Sequence, residues 1–278
     1  MAVVNTNLNA LSAQHAVTQN NRITANVMQQ LSTGKRVNSA ADDAASLAAS
    51  SRLGSRIVSL DMAVRNANDG ISMLQTSDGA AAVLSDILMR MRDLAVQSGN
   101  DTNSSSDRTA MQSEVATLQS QIGDVLNNTE WNDMKVLKGE AGSSGSVVFQ
   151  VGASSSDSIT LSMDTLDTGS LADAQTTASV DVSSQDGASS ALSVIDAALT
   201  EIDSARTLWG ATANRLVYAA DNSANVSLNS QASRSTLVDT DYAKATADLA
   251  RAMILEEAGS AMLTQANQQP AYVLTLLR

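Results

Sequence analysis

The apolar positions between Leu53 and Ala95 form a heptad. Leu53, Ile57, Leu60, Val64, Ala67, Ile71 and Leu74 are separated by alternating steps of four and three. The rhythm breaks at Asp78, resumes at Ala81, lapses at Ser85 and continues through Leu88, Met91 and Ala95. Such a seam predicts a long helix whose stripe must be covered by other helices. At about 1.5 Å per residue, roughly fifty helical residues make a rod of about 75 Å. Ser39-Ala40-Ala41-Asp42 reads as a variant capping box, with Asp43 adding negative charge to the first turn. Gly99-Asn100 offers a left-handed stop.

The same alternation recurs in Met111, Val115, Leu118, Ile122 and Val125, behind the N-cap cluster Ser104 to Asp107. This predicts a shorter helix returning antiparallel and closing at Asn127-Asn128. A third block, Leu192, Ile195, Leu199, Ile202, Trp209, Ala213, Leu216 and Ala220, carries Arg206 in its seam, and Ser223 to Asn229 weaken it.

The ends are weaker. Val4, Leu8 and Leu11 give one short stripe; Ile23, Val27 and Leu31 give another. Thr18-Gln19-Asn20-Asn21 between them favour caps and turns, so this segment should need a partner before Gly34 ends it. Near the C-terminus, Tyr242, Ala245, Leu249, Ala252, Leu263 and Ala266 form a stripe flanked by Met253 and Met262. Pro270 is expected to stop it. The apolar tail Val273 to Arg278 follows and reads as an association patch.

Between the strong blocks, residues 139–190 turn to Ser, Gly, Thr and Asp. Val147–Val151 and Ile159–Met163 read as a hairpin, and residues 164–190 as a loosely structured turn region. The fold class expected is therefore mainly α: an elongated antiparallel helical, coiled-coil rod with a small β-hairpin region. The terminal helices pair as a separate coiled-coil segment. The divisions are 1–41 and 236–278 for that segment, 42–138 and 189–235 for the rod, and 139–188 for the hairpin and tip.

Composition supports thin helical packing. Of 278 residues, 43% are hydrophobic, yet there is one Phe, two Trp, three Tyr and a single Pro. A net charge of −12 argues against nucleic-acid binding. The absence of cysteine excludes disulfides, thiolate metal sites and Cys catalysis. Met1 to Asn5 do not open a cleavable secretory signal, and no run of about 18 apolar residues spans a membrane. His15 is the sole histidine, which leaves zinc almost nothing to bind. Asp42-Asp43 and Glu256-Glu257 are adjacent on helical segments and point apart, so they are poor acid–base pairs. No metalloprotease, P-loop, dinucleotide or nucleophile-elbow motif occurs. No catalytic residue, cofactor site or metal site is assigned.

Several motifs resemble bacterial flagellin. Leu31 to Ala45 and Arg65 to Thr76 are similar to that family's N-terminal signatures. Trp131 to Leu137 is similar to its Phe-Asn-Gly type segment, with Trp131 for Phe and Asp133 for Gly. Asp239 to Ala243, Ile254 to Gly259, Gln265 to Pro270 and Val273 to Arg278 match at the other end. The likeness covers about residues 1–138 and 189–278 and implies a short form without large outer variable domains.

The resemblance implies a structural subunit that polymerises with itself into the flagellar filament, secreted and extracellular, and acting as a propeller. It places the inner coiled coil and subunit interface at Leu8, Leu11, Ile23, Val27, Leu31, Tyr242, Leu249, Met253, Met262 and Leu263. Ala243 to Arg278 would be held by an export chaperone, and filament cap and hook-junction proteins would be further partners. Leu88 to Ser98 resembles the segment that the flagellin-sensing Toll-like receptor reads, with Arg90, Leu94 and Glu114 at matching positions. The alternatives are a hook–filament junction protein of the same superfamily or a soluble coiled-coil interaction module.

Overall fold

The structure is a computed structural model. It describes residues 6–276 except 144, 164, 165, 167, 168, 177 and 178, with side chains described up to residue 268. Met1 to Asn5 and the side chains of the tail from Val273 onward lie outside the described residues. Among those described, the chain is mainly helical with two small antiparallel hairpins. It divides into two compact units, residues 1–55 with 229–278 and residues 56–228.

The first unit contains α1 (Leu8–Thr33) and α6 (Tyr242–Leu276), together with the start of α2 (Ala44–Ser98) and the end of α5 (Gln185–Val238). Thr18 to Asn21 do not interrupt α1. Pairing with α6 overrides their weak propensity, and Asn20 bonds across to α6 instead of to its own backbone. Gly34 ends α1 in the left-handed conformation at φ 69°. The long helix α2 begins a few residues later than the capping box suggested. The Asp43 carboxylate caps it, accepting the Ala45 and Ser46 amides at 3.0 Å each, while Asp42 closes the preceding turn. Pro270 does not stop α6, which continues to Leu276.

The second unit is built on α2. Ala67, Ala81, Leu84, Leu88, Met91 and Ala95 are fully or almost fully buried. They share one core with Val115, Ile122 and Leu126 of α3 (Ser105–Asn128) and Ile195, Ile202 and Leu216 of α5. Each such Leu or Ile contributes about 1.5–3 kcal/mol by leaving water. The two polar interruptions meet: Arg206 Nε donates to Asp78 Oδ1 at 2.7 Å. Both side chains remain over a third exposed, so the pair adds no more than about 1 kcal/mol. It lets a charged position in one seam face its opposite in the other.

Gly99 follows the last residue of α2 as expected, but not with a positive φ. The free carbonyls are taken by side chains instead. Arg108 Nε donates to Ser98 O at 2.9 Å, and Asn103 donates to Gln97 O. Ser104 and Asp107 form the full capping box of α3.

A tight hairpin follows, β1 (Glu130–Trp131) with β2 (Met134–Lys135). Its two turn residues, Asn132 and Asp133, sit at φ 49° and 62°, a pairing that favours Asn-Gly. The larger hairpin, expected from the sequence, pairs β3 (Ser146–Gln150) with β4 (Ser158–Ser162), each starting one residue earlier than the apolar runs, with Val148 opposite Thr160. Phe149 seats it on α2. A Cβ on Gly70 would lie 2.8 Å from the Phe149 ring, so only glycine admits that approach. Asn66 and Ser223 fasten the hairpin by donating to Gln150 O and Val151 O.

Residues 164–190 are not a loose turn region where they are described. Leu166, Leu171, Ala174, Val180 and Val182 are almost fully buried, around a short helix α4 (Ser170–Ala174). Gln119 and Gln112 of α3 hold the segment through its backbone: Gln119 donates to Ala174 O at 3.1 Å, and Gln112 Oε1 accepts the Val182 amide at 2.6 Å. Leu171 and Ala174 stand three apart on α4, but the other apolar residues follow no period, and bonds from α3 hold the backbone beside them.

Two substitutions test this unit by denaturant unfolding. Asp133→Gly restores the favoured turn pair and is expected to stabilise by about 0.5–1 kcal/mol. Gly70→Ala forces Phe149 to move and is expected to cost about 1–3 kcal/mol.

Candidate functional site

The terminal helices are paired by backbone and amide groups more than by apolar packing. At one end, Lys35 bridges Asp239, the Arg36 amide donates to Val238 O at 2.6 Å, and the Thr240 amide donates to Gly34 O at 3.0 Å. The Arg36 guanidinium donates to Leu237 O at 2.7 Å, over buried Val37 and Val238. Further along, buried Asn20 donates to Ala252 O, and Asn7 donates to Ala266 O, each at 2.7 Å. α1 and α6 therefore run antiparallel.

What this pair buries is small. Asn20, Val27, Ala245 and Ala252 are buried, while Leu31, Leu249 and Leu263 are half-buried. Leu8, Leu11, Ile23, Tyr242, Met253 and Met262 remain 49–66% exposed, as do Met28, Ile254 and Leu255. Small residues, amides and three half-buried leucines line the seam, and most of the large apolar residues turn outward. A groove of about 410 Å³ runs along the pair, lined by Ala13, Ala16, Val17, Ile23, Leu255 and Met262 among others. An apolar surface of this kind marks association.

The turn between α1 and α2 is tied by two carboxylates. Asp42 accepts the Ser39 amide at 2.8 Å, the Asn38 amide at 3.0 Å and the Ser39 hydroxyl. The Ser39 and Asn38 amides hold its carboxyl below the usual range. Asp43 is likewise lowered, first by the Ser46 hydroxyl and then by the Ser46 amide.

On the second unit, Arg90 and Glu114 are brought together across α2 and α3, 2.7 Å apart and about half exposed. Leu94 is not with them at the surface. It is 2% exposed and packs in the core. Arg92 pairs in the other direction, with Asp196 of α5 at 2.7 Å. Among the described residues, no group of three or more His, Cys, Asp or Glu could hold a metal ion, and no helix is long and apolar enough to cross a membrane.

Sequence reasoning missed the roles of Asn7, Asn20 and Arg36. Asn20 carried a usable signal, because it stands one heptad before Val27 and therefore on the same face.

Comparison with known proteins agrees with the helical pattern. A family model described as the bacterial flagellin N-terminal helical region matches residues 4–141, and one described as the C-terminal helical region matches 192–277. A flagellin of Halalkalibacterium halodurans is 40% identical over 276 residues, covering 99% of this chain and all of the relative. Flagellin B of Vibrio cholerae is 33% identical over a 374-residue alignment covering 99% of each. That alignment is longer than this chain, so the Vibrio protein carries residues this one lacks. A crystal structure of Bacillus cereus flagellin is 29% identical with a TM-score of 0.50, covering 57% of this chain and 88% of that one. The chain belongs to the flagellin family, whose members are structural subunits of the bacterial flagellar filament.

The lowered carboxyls give a pH prediction with a defined sign. A depressed folded-state value stabilises above the unfolded value of 3.8 and is lost as pH falls through the lower folded value. Amide exchange at Asn38, Ser39, Ala45 and Ser46 is expected to lose protection below about pH 4, ahead of the α2–α3 core.

Proposed function

We propose that α1 and α6 carry the polymerisation of this filament subunit, ordering fully only when neighbouring copies cover them. The observation that supports the reading is the outward ring of Leu8, Leu11, Ile23, Tyr242, Met253 and Met262 on a pair that buries little between its own helices. Two helices with so small a shared core are marginal in water, and burial against neighbours offsets their ordering entropy. Identical chains joined by heterologous contacts form an open helical polymer. The role is structural rather than catalytic.

The assembled chain is extracellular and reaches its place by export, with Ala243 to Arg278 held by an export chaperone beforehand. Filament cap and hook-junction proteins meet it at the ends of the polymer. Residues 42 and 235 divide the inner coiled coil from the rest of each subunit.

Electron microscopy of the purified chain after seeding or salting out tests the central claim. Tubular filaments of uniform diameter are expected. Leu11→Asp combined with Met253→Asp places charges on the outward ring. It is expected to abolish filaments while leaving unfolding of the α2–α3–α5 core unchanged. Normal filaments from that variant, or soluble dimers from the parent under every condition, would overturn the assignment.

Recognition by the flagellin-sensing Toll-like receptor rests on a second observation, the exposed Arg90–Glu114 pair. The half-exposed Arg90 guanidinium is free on its solvent side to give charge-assisted hydrogen bonds to an acceptor on the receptor. Arg90→Ala is expected to lower receptor signalling by the free chain about tenfold or more. Its fold stability should change by no more than about 1 kcal/mol. Unchanged signalling would remove Arg90 from the contact.

A further inference from the structure

We propose that Asn7 selects the register of the terminal helix pair by reading the interior carbonyl of α6 that the helix itself leaves without a donor. Pro270 is the only proline in the chain and lies within α6. In an α-helix the carbonyl of residue i accepts from the amide four residues on, and proline has no N–H. The carbonyl deprived by Pro270 is that of Ala266. This is the oxygen to which Asn7 Nδ2 donates at 2.7 Å, across 259 residues of sequence.

The same side chain is anchored from its other end. Asn7 Oδ1 accepts the Ala10 amide at 3.1 Å and caps α1. The cap fixes where the amide stands on α1, so its N–H cannot travel to another carbonyl unless the helices slide. One turn away in either direction, the carbonyls of Met262 and Pro270 already face the amides of Ala266 and Leu274. A shifted pair would leave the Ala266 carbonyl without its donor and set Asn7 against an acceptor already in use. An unmade bond at a half-buried group is costly, which makes the discrimination larger than the worth of one bond gained.

Asn20 provides the contrast. Its Nδ2 also donates to a carbonyl of α6, that of Ala252, at 2.7 Å. That carbonyl has the Glu256 amide as its own helical donor, as do its neighbours a turn away. Asn20 therefore holds the helices together without choosing among registers. Apolar packing chooses weakly, because the seam is largely Ala and half-buried Leu. One steric mark exists: a Cβ on Gly259 would lie 2.9 Å from Val17 Cγ2. The experiment must separate that mark from the Asn7 bond.

The chain has no cysteine, so introduced pairs report register without background. Val17→Cys with Gly259→Cys reports the native register. Val17→Cys with Leu255→Cys or with Leu263→Cys reports a shift of one turn. Disulfide yields in a glutathione buffer are compared for the full-length chain, free and as sedimented polymer. Asn7→Asp keeps the capping acceptor and removes the donor. It is expected to lower the ratio of native to shifted product about tenfold. Pro270→Ala returns an N–H to the Ala266 carbonyl, and in that background Asn7→Asp is expected to change the ratio less than about twofold. An equal loss in both backgrounds, or no loss in either, overturns the proposal. Should Asn7→Asp unpair the helices outright, both yields fall together. Recovery of cross-linking with Pro270→Ala then supports the proposal, and continued loss overturns it.

Discussion

The apolar seam of α2 cannot stand in water, and the second unit follows from that constraint. A helix with Ala67, Leu74, Ala81, Leu88, Met91 and Ala95 along one face needs a cover of matching length. α3 and α5 supply it with their own seams. What remains open is closed by smaller pieces cut to fit: Phe149 over Gly70, and Ala174 and Val182 bonded to Gln119 and Gln112. The seam even tolerates a charge at Asp78, because α5 brings Arg206 to the same level. Capping is equally local: Ser104, Asp107, Asn103 and Arg108 together satisfy the ends of α2 and α3 at their shared turn.

The first unit solves a different problem with the same kinds of residue. Most large apolar side chains of α1 and α6 face outward, and the seam between the helices is filled by Ala, Val, Asn and half-buried Leu. A pair of this kind gains little from the hydrophobic effect and relies on hydrogen bonds at the 34–43 turn and at Asn7 and Asn20. Such bonds are worth only about 1 kcal/mol each in net terms. The arrangement leaves the pair with little stability of its own. One unit has a self-sufficient core, and the other leaves most of its large apolar side chains exposed.

Much of this was legible in the residues. Heptad steps located α2, α3 and α5, Ser104 with Asp107 marked a helix start, and the β-branched runs marked the 146–162 hairpin. The failures share a cause. The resemblance sets Leu94 beside Arg90 and Glu114 in one receptor segment, whereas its position three residues after Met91 puts it on the buried face. Leu166, Leu171 and Val180 sit in a Ser- and Asp-rich stretch with no period, and their burial depends on glutamines more than forty residues away. Thr18 to Asn21 and Pro270 are poor helix residues that a tertiary partner accommodates. Local rules see propensity, but they do not see a donor arriving from the other end of the chain.

That long-range donor matters more in a polymer than in a monomer. In a seam with few large side chains, a slip of one turn, about 5.4 Å, is opposed mainly by the half-buried Leu31, Leu249 and Leu263 and by Val17 against Gly259. In a single globular chain the surrounding core would forbid the slip. In the proposed polymer the surroundings are further copies, and a slipped subunit would present its exposed apolar side chains displaced to the next. Hydrogen bonds distinguish registers where alanine cannot, provided one acceptor differs from its neighbours. A single proline creates that difference, and an asparagine at the start of α1 detects it. The weakness of the terminal pair and the accuracy of its alignment are therefore compatible, because stability and register are set by different groups.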